Sequence, residues 1–218
     1  MSPLTENKAL LKALNWVTDL NVPAIQTEAA WLQSQSLALS EKQLVEQIFS
    51  KARWKATASG AATGLPSNPW AALPAATTDV ALTLKTELIA VATAAAIYDP
   101  AFFDSEQAQW ELLIPTLGLS DDGQFLKTLG VNTQKEVSSL IVRKTLTKEG
   151  LKAFKGLVLK HFLKKITKNG IFSKTIPLLG SVIGGSWNYL EVSQVRNRTI
   201  AYLQNRQVMK EAGKALIE

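Results

Sequence analysis

A chain of 218 residues, 46% apolar and 19% charged with a mean hydropathy of +0.05, has the composition of one globular domain able to bury its own core. Zero cysteines exclude disulfides, thiolate metal sites, iron–sulfur clusters and cysteine nucleophiles. The net charge of +6 hides an asymmetry: residues 1–126 hold 7 Lys+Arg against 13 Asp+Glu, a net −6, whereas residues 127–218 hold 17 against 5, a net +12. Two readings follow: a basic face for a phosphate-rich partner, or two halves that pair with each other.

The opening, MSPLTENKALLKALNWVTDL, lacks a basic segment followed by an apolar run and reads as the start of a cytosolic chain, with an amphipathic helix from Thr5 to Thr18. A second helix is expected after Pro23, through Ile25, Ala29 and Leu32. Ser40 with Gln43 three residues on is a capping-box pair, each side chain placed to satisfy the other's free N–H, and it opens a helix carrying Leu44, Ile48, Ala52 and Lys55. Residues 56–78 carry no charge; Pro66, Pro69 and Pro74 argue against a membrane span and for an irregular loop, after which Thr78 or Asp79 caps a helix ending near Tyr98. Asp99-Pro100 breaks the chain, Asp104 or Ser105 starts a helix through Trp110 and Leu113, Ser120 starts a short one ended by Gly130, and Asn132 or Thr133 caps the next. Helix-period patterning recurs throughout and no strand alternation is found, so the fold class is all-α: a single multi-helix bundle over 1–218 with close-packed glycine-rich helices and a long C-terminal helix from Glu191.

The lysine-rich stretch over 148–168 suggests a basic amphipathic helix for an anionic membrane surface. At 100° per residue, however, Lys148, Lys152 and Lys155 fall on one face and Lys160, Lys164 and Lys168 on another, so one straight helix has no single lysine stripe. Either it breaks near Gly156, or its lysines snorkel around a partly buried rod, or they are ordinary surface lysines. Lys155, Lys160, Lys164, Lys165, Lys168 and Lys174 are the candidate membrane or anion contacts. Nothing singles out a nucleic-acid recognition helix, and no nucleic acid is expected.

Catalytic patterns are sparse. His161 is the lone histidine, in a cationic neighbourhood, with no GxSxG nucleophile elbow to accompany it. Gly60-x3-Gly64 and Gly180-x3-Gly184 lack the Lys-Ser/Thr ending of a P-loop, and no metal site or cofactor is expected. Instead, Gly60 and Gly64 form one small-residue face, and Gly180, Gly184 and Gly185 another. A glycine inside a helix costs about 1 kcal/mol against alanine, so clustered glycines imply close helix contact in compensation. The two glycine helices are therefore expected to lie together, with Asp79, Asn188, Tyr98 and Asp99 as a polar cluster. Whether the uncharged run Thr175–Leu190 only packs or also rests in a bilayer stays open.

Three blocks resemble the EcsC family of bacterial proteins: Gly60-Ala-Ala-Thr-Gly64 with Pro69, Leu73-Pro74-Ala75 and Asp79; the Tyr98-Asp99 pair; and Ile176-Pro177-Leu-Leu-Gly180-Ser-Val-Ile-Gly184-Gly185 with Asn188-Tyr189, Arg196 and Arg198. They span most of 56–206, after N-terminal helices over 1–55. The sequence departs from the family where Ala96-Ile97-Tyr98-Asp99 lacks the glycine of a Tyr-Gly-Tyr-Asp run, and where Ser67-Asn68 thin the glycine segment. The resemblance implies a divergent member near the inner membrane, accessory to a transporter, with no established catalysis. The alternatives are a soluble interaction module, an adaptor or immunity-like protein with an acidic or basic protein partner, and a hydrolase using carboxylates such as Asp79, Glu87 or Asp99.

Overall fold

The computed structural model describes residues 12–63, 69–105, 107–119, 154, 156–161 and 180–215, without the side chains of 59–63, 69–79, 180–187, 209 and 212–215. Among the described residues the chain is helical with no strand. Residues 12–18 form α1. Asn21 caps α2 (Val22–Gln35) by accepting from the Ala24 N–H at 3.2 Å, with Pro23 in the first turn, where its missing donor has no helical partner to lose. Ile25, Ala29 and Leu32 are the buried face of α2, as the spacing predicts.

The capping box is present. The Ser40 N–H donates to Gln43 Oε1 at 2.8 Å and the Gln43 N–H to Ser40 Oγ at 3.4 Å, opening α3 (Glu41–Thr63), whose Leu44, Ile48 and Ala52 are buried. The expected loop after it is largely helix instead. α3 runs on to Thr63, and α4 begins at Pro69, so Pro74, Thr78 and Asp79 lie inside a 30-residue helix and neither Thr78 nor Asp79 caps it. Pro69 at the first position costs no hydrogen bond, and Ala71, Ala72, Leu73, Ala75 and Ala76 are strong helix formers that outweigh the single donor lost at Pro74.

α4 (Pro69–Tyr98) is the centre of the bundle. Every residue from Ala90 to Tyr98 is buried, and the alanines let neighbours approach from all sides, as a helix apolar all round requires. Its window Val80–Tyr98 is long and apolar enough to cross a membrane by length and composition (19 residues, mean hydropathy 1.7), but 78% of it is buried inside the protein.

After Asp99-Pro100, the one expected helix is broken into a 3₁₀ turn (Phe102–Asp104), α5 (Ala108–Glu111) and α6 (Leu113–Leu117). Gly118 ends α6 in the left-handed conformation (φ 67°). Residues 156–161 (α7) are helical from Gly156 onward, with Val158 buried; Phe154 is also buried, its ring 6.5 Å from that of Trp110, edge to face. Most of the lysine-rich stretch lies outside the described residues, as do the expected helices from Ser120 and Asn132.

The last helix, α8 (Gly180–Ala215), begins eleven residues before Glu191, so the glycine segment forms its first turns. Asn188, Val192, Val195, Thr199, Tyr202 and Arg206 are buried at alternating four- and three-residue steps, the seam of a packed helix. Side-chain bonds fix the helix directions. α3 runs antiparallel to α8, with Ala56 beside Asn188 and Glu41 beside Gln207. α4 runs parallel to α8, with Thr83 beside Asn188 and Tyr98 beside Gln207. α2 also runs parallel to α4, with Asp19 just ahead of it bonded to Lys85 and Gln33 bonded to Ile97.

Candidate functional site

Two polar assemblies tie these helices together, one at each end of the bundle. At one end Asn188, 4% exposed, donates through Nδ2 to the Ala56 carbonyl of α3 at 3.0 Å and to Thr83 Oγ1 of α4 at 3.2 Å. A buried amide without partners costs on the order of 1–3 kcal/mol, so this bond set fixes the register of three helices at once. Gly60 lies one turn beyond Ala56 and Gly184 one turn before Asn188. Because α3 and α8 are antiparallel, the two glycines sit at the same level of the bundle. Gly180 and Gly185 belong to the same turns of α8, and Gly64 lies outside the described residues.

The four residues expected as one polar cluster are not together. Tyr98 and Asp99 are fifteen and sixteen residues from Thr83, which along a helix of 1.5 Å rise places them about 22 Å from Asn188. The continuity of α4 separates them. The side chain of Asp79 lies outside the described residues.

The second assembly is at the opposite end, around Asp99. The Arg206 guanidinium, with its side chain 9% exposed, lies between two carboxylates: Nη2 is 3.2 Å from Asp99 Oδ2 and Nη1 3.7 Å from Glu111 Oε1. The Lys210 ammonium binds Asp99 Oδ1 at 3.0 Å, and the Tyr202 hydroxyl donates to Glu111 Oε1 at 2.9 Å. The face of Phe102 lies 4.5 Å from the guanidinium carbon, a cation–π contact. Gln207 and Gln33 donate to the Tyr98 and Ile97 carbonyls, satisfying the last turn of α4. Arg206 and Lys210 thus sit where the α4 dipole favours cations. Chemically the arrangement is a clamp: one arginine shared by carboxylates from two segments, pinning 99–111 to α8. A shallow depression beside Pro100, lined by Gln26, Ala29, Gln33 and Ala96, carries no charged side chain.

Tyr98 and Asp99 were legible as special in the sequence; Arg206, Glu111, Tyr202 and Lys210 were not. The available signal is the four-three spacing of α8, which places Tyr202 and Arg206 on its buried seam.

Burial, reinforced by the negative charge of Glu41, raises the Tyr98 pKa above the ordinary tyrosine value. Its proton is therefore held more tightly in the folded state than in the unfolded one. The associated stability is fully present below about pH 10 and is lost as pH rises toward the raised value. Alkaline titration of unfolding free energy should show this loss, and Tyr98→Phe should remove that component; an identical slope in the variant would contradict it. Lys85, at the other end, donates to the Trp16 and Asp19 carbonyls and anchors the end of α1 to α4; burial lowers its pKa, partly offset by Asp19.

Of the expected lysine contacts, Lys160 is described, and it is exposed; Lys155, Lys164, Lys165, Lys168 and Lys174 lie outside the described residues. His161 Nδ1 lies 3.0 Å from the Leu157 carbonyl one turn back. Arg196 pairs with Glu46 at 2.8 Å, and Arg198 donates to the Pro115 and Thr116 carbonyls. With Arg206 and Lys210, these contacts show basic residues of the second half meeting acids and carbonyls of the first, so part of the charge asymmetry is internal pairing. Among the described residues no three His, Asp or Glu side chains form a metal-ligand group. Family models, curated proteins and solved structures were all compared with the chain, and none matches.

Proposed function

We propose that the chain is a non-enzymatic protein of the EcsC type, peripherally associated with the cytoplasmic face of a bacterial inner membrane and accessory to a membrane protein such as a transporter. The observation that supports this most is the segment Lys51-Ala-Arg-Trp-Lys55 on α3. Trp54 is 74% exposed, flanked by the exposed Lys51 and Lys55, and Arg53 lies 5.3 Å over the ring of Tyr189 from α8. An exposed tryptophan among cations, beside a half-exposed tyrosine and Leu190, matches the chemistry of the headgroup layer: amphipathic rings at its apolar boundary and cations toward anionic phosphate. Internal pairing leaves the overall +6 unchanged, and lysines near an anionic surface contribute on the order of 1 kcal/mol each.

Charge reversal tests the reading. Lys51→Glu with Lys55→Glu, and separately Lys160→Glu with Lys164→Glu and Lys165→Glu, should each reduce the fraction of protein sedimenting with anionic vesicles. Unchanged binding in both sets would count against it, and salt-sensitive binding to a protein with no lipid dependence would favour the interaction-module alternative.

A further inference from the structure

The helix directions bring three uncharged helix ends together at one end of the bundle. α3 ends there, and α4 and α8 begin there. The last eight residues of α3 (56–63), the first ten of α4 (69–78) and the first eleven of α8 (180–190) contain no Asp, Glu, Lys or Arg. At 1.5 Å per residue these are tips about 12–16 Å long. The first charges met moving inward are Lys55 on α3, Asp79 on α4 and Glu191 on α8. The same end carries four of the six tryptophans: Trp16 on α1, Trp54 on α3, Trp70 on α4 and Trp187 on α8. Trp31 and Trp110 lie on α2 and α5, away from it. The base of the tips is ringed by Trp54, Tyr189, Leu190 and Leu82, all exposed to solvent, with Lys51, Arg53 and Lys55 beside them.

From this placement we infer that the protein meets an anionic lipid surface end-on, with the three uncharged helix tips entering the leaflet and the Trp54–Tyr189–Arg53 belt at headgroup level. The inference rests on the membrane reading above and adds the element that enters and the orientation of the bundle. Sequence and geometry support it independently of the lysine-rich stretch. An uncharged end with an aromatic and cationic collar is layered in the order in which a leaflet is layered, and three parallel or antiparallel rods running past the Asn188 level, α3 and α8 by about 10–12 Å and α4 by about 21 Å, define one axis of entry with α4 leading. Depth follows from helix chemistry. The open N–H groups of α4 and α8 and the open carbonyls of α3 need water or headgroup partners, and Pro69 removes only one of them. Entry therefore stops about 5–10 Å in, at the boundary of headgroups and acyl chains, and does not span.

The absence of cysteine makes the test direct. Single variants Thr63→Cys and Thr77→Cys at the tips, Gln35→Cys at the opposite end and Lys160→Cys on α7 are labelled with a polarity-sensitive nitrobenzoxadiazole group. Each is then mixed with phosphatidylcholine–phosphatidylglycerol vesicles. The expected result is a blue shift and a several-fold rise in emission at 63 and 77, with 35 unchanged. Vesicle binding with water-like emission at both tip positions, or with the shift confined to 160 or 35, overturns end-on entry while the membrane reading stands. A shift at 63 or 77 that grows with protein concentration in the absence of vesicles assigns the tip to a second copy and overturns the inference. No sedimentation of any variant with vesicles overturns both.

Discussion

Replacing Arg206 with methionine is expected to destabilise the fold by about 3–5 kcal/mol, the cost of leaving buried charge without its partner. Asp99 and Glu111 both lean on this guanidinium, and the Glu111 side chain is fully buried. Lys210 still reaches Asp99, and the Tyr202 hydroxyl still donates to Glu111, but neither bridges the two carboxylates. The site is not ideal even in the native chain. Among the described residues Arg206 Nε and Nη1 have no hydrogen-bond partner, so Phe102 and the two carboxylates compensate for the desolvated cation. The loss therefore comes mainly from withdrawing this counter-charge from the buried Asp99 carboxylate. Adding Asp99→Asn and Glu111→Gln to Arg206→Met should recover most of it, because a pair removed whole costs far less than one broken in half. Urea unfolding midpoints read both effects; a single variant within 1 kcal/mol of wild type, on the order of an ordinary surface change, would show that Arg206 does not hold 99–111 to α8.

Gly118→Val should cost about 2–4 kcal/mol from two separable sources. A φ of 67° lies in the left-handed region, where a β-branched residue is strained. A Cβ there would also stand 2.7 Å from Arg198 Nη1 and 3.1 Å from its Cζ. The Arg198 end is flexible enough to move, but moving it breaks its bonds to the Pro115 and Thr116 carbonyls, at 3.0 and 3.3 Å, which finish α6. In an Arg198→Ala background only the backbone strain remains, so the valine should cost less there than in the native chain. Equal costs in the two backgrounds would show that the steric contact contributes nothing.

What the sequence made legible was decided by local rules. The Asn21–Pro23 start, the Ser40–Gln43 box and the Ile25/Ala29/Leu32 face depend on neighbours a few residues apart, and the structure has them. The long α4 departs from the expected loop because Pro69 begins a helix and Pro74 is carried by flanking alanines. The seam of α8 escaped because half of its buried positions are Asn188, Thr199 and Arg206, which a polarity count assigns to solvent. Thr199 is satisfied by the Val195 carbonyl one turn back, but the burial of Asn188 and Arg206 is balanced by Ala56, Thr83, Asp99 and Glu111, partners about a hundred residues away that no periodicity records. Tyr98 and Asp99 do not join Asn188, because Asn188 bonds to Thr83 and fifteen residues of continuous α4 separate that level from Tyr98.

The membrane reading and the end-on geometry share one requirement: the purified protein must bind lipid by itself. Co-sedimentation with neutral and with anionic vesicles, at low and at moderate salt, tests it most directly. Recovery with the anionic vesicles at low salt is expected, reduced but not abolished at moderate salt because apolar tips and tryptophans persist when charge is screened. Protein left in the supernatant with both vesicle types at low salt would contradict it.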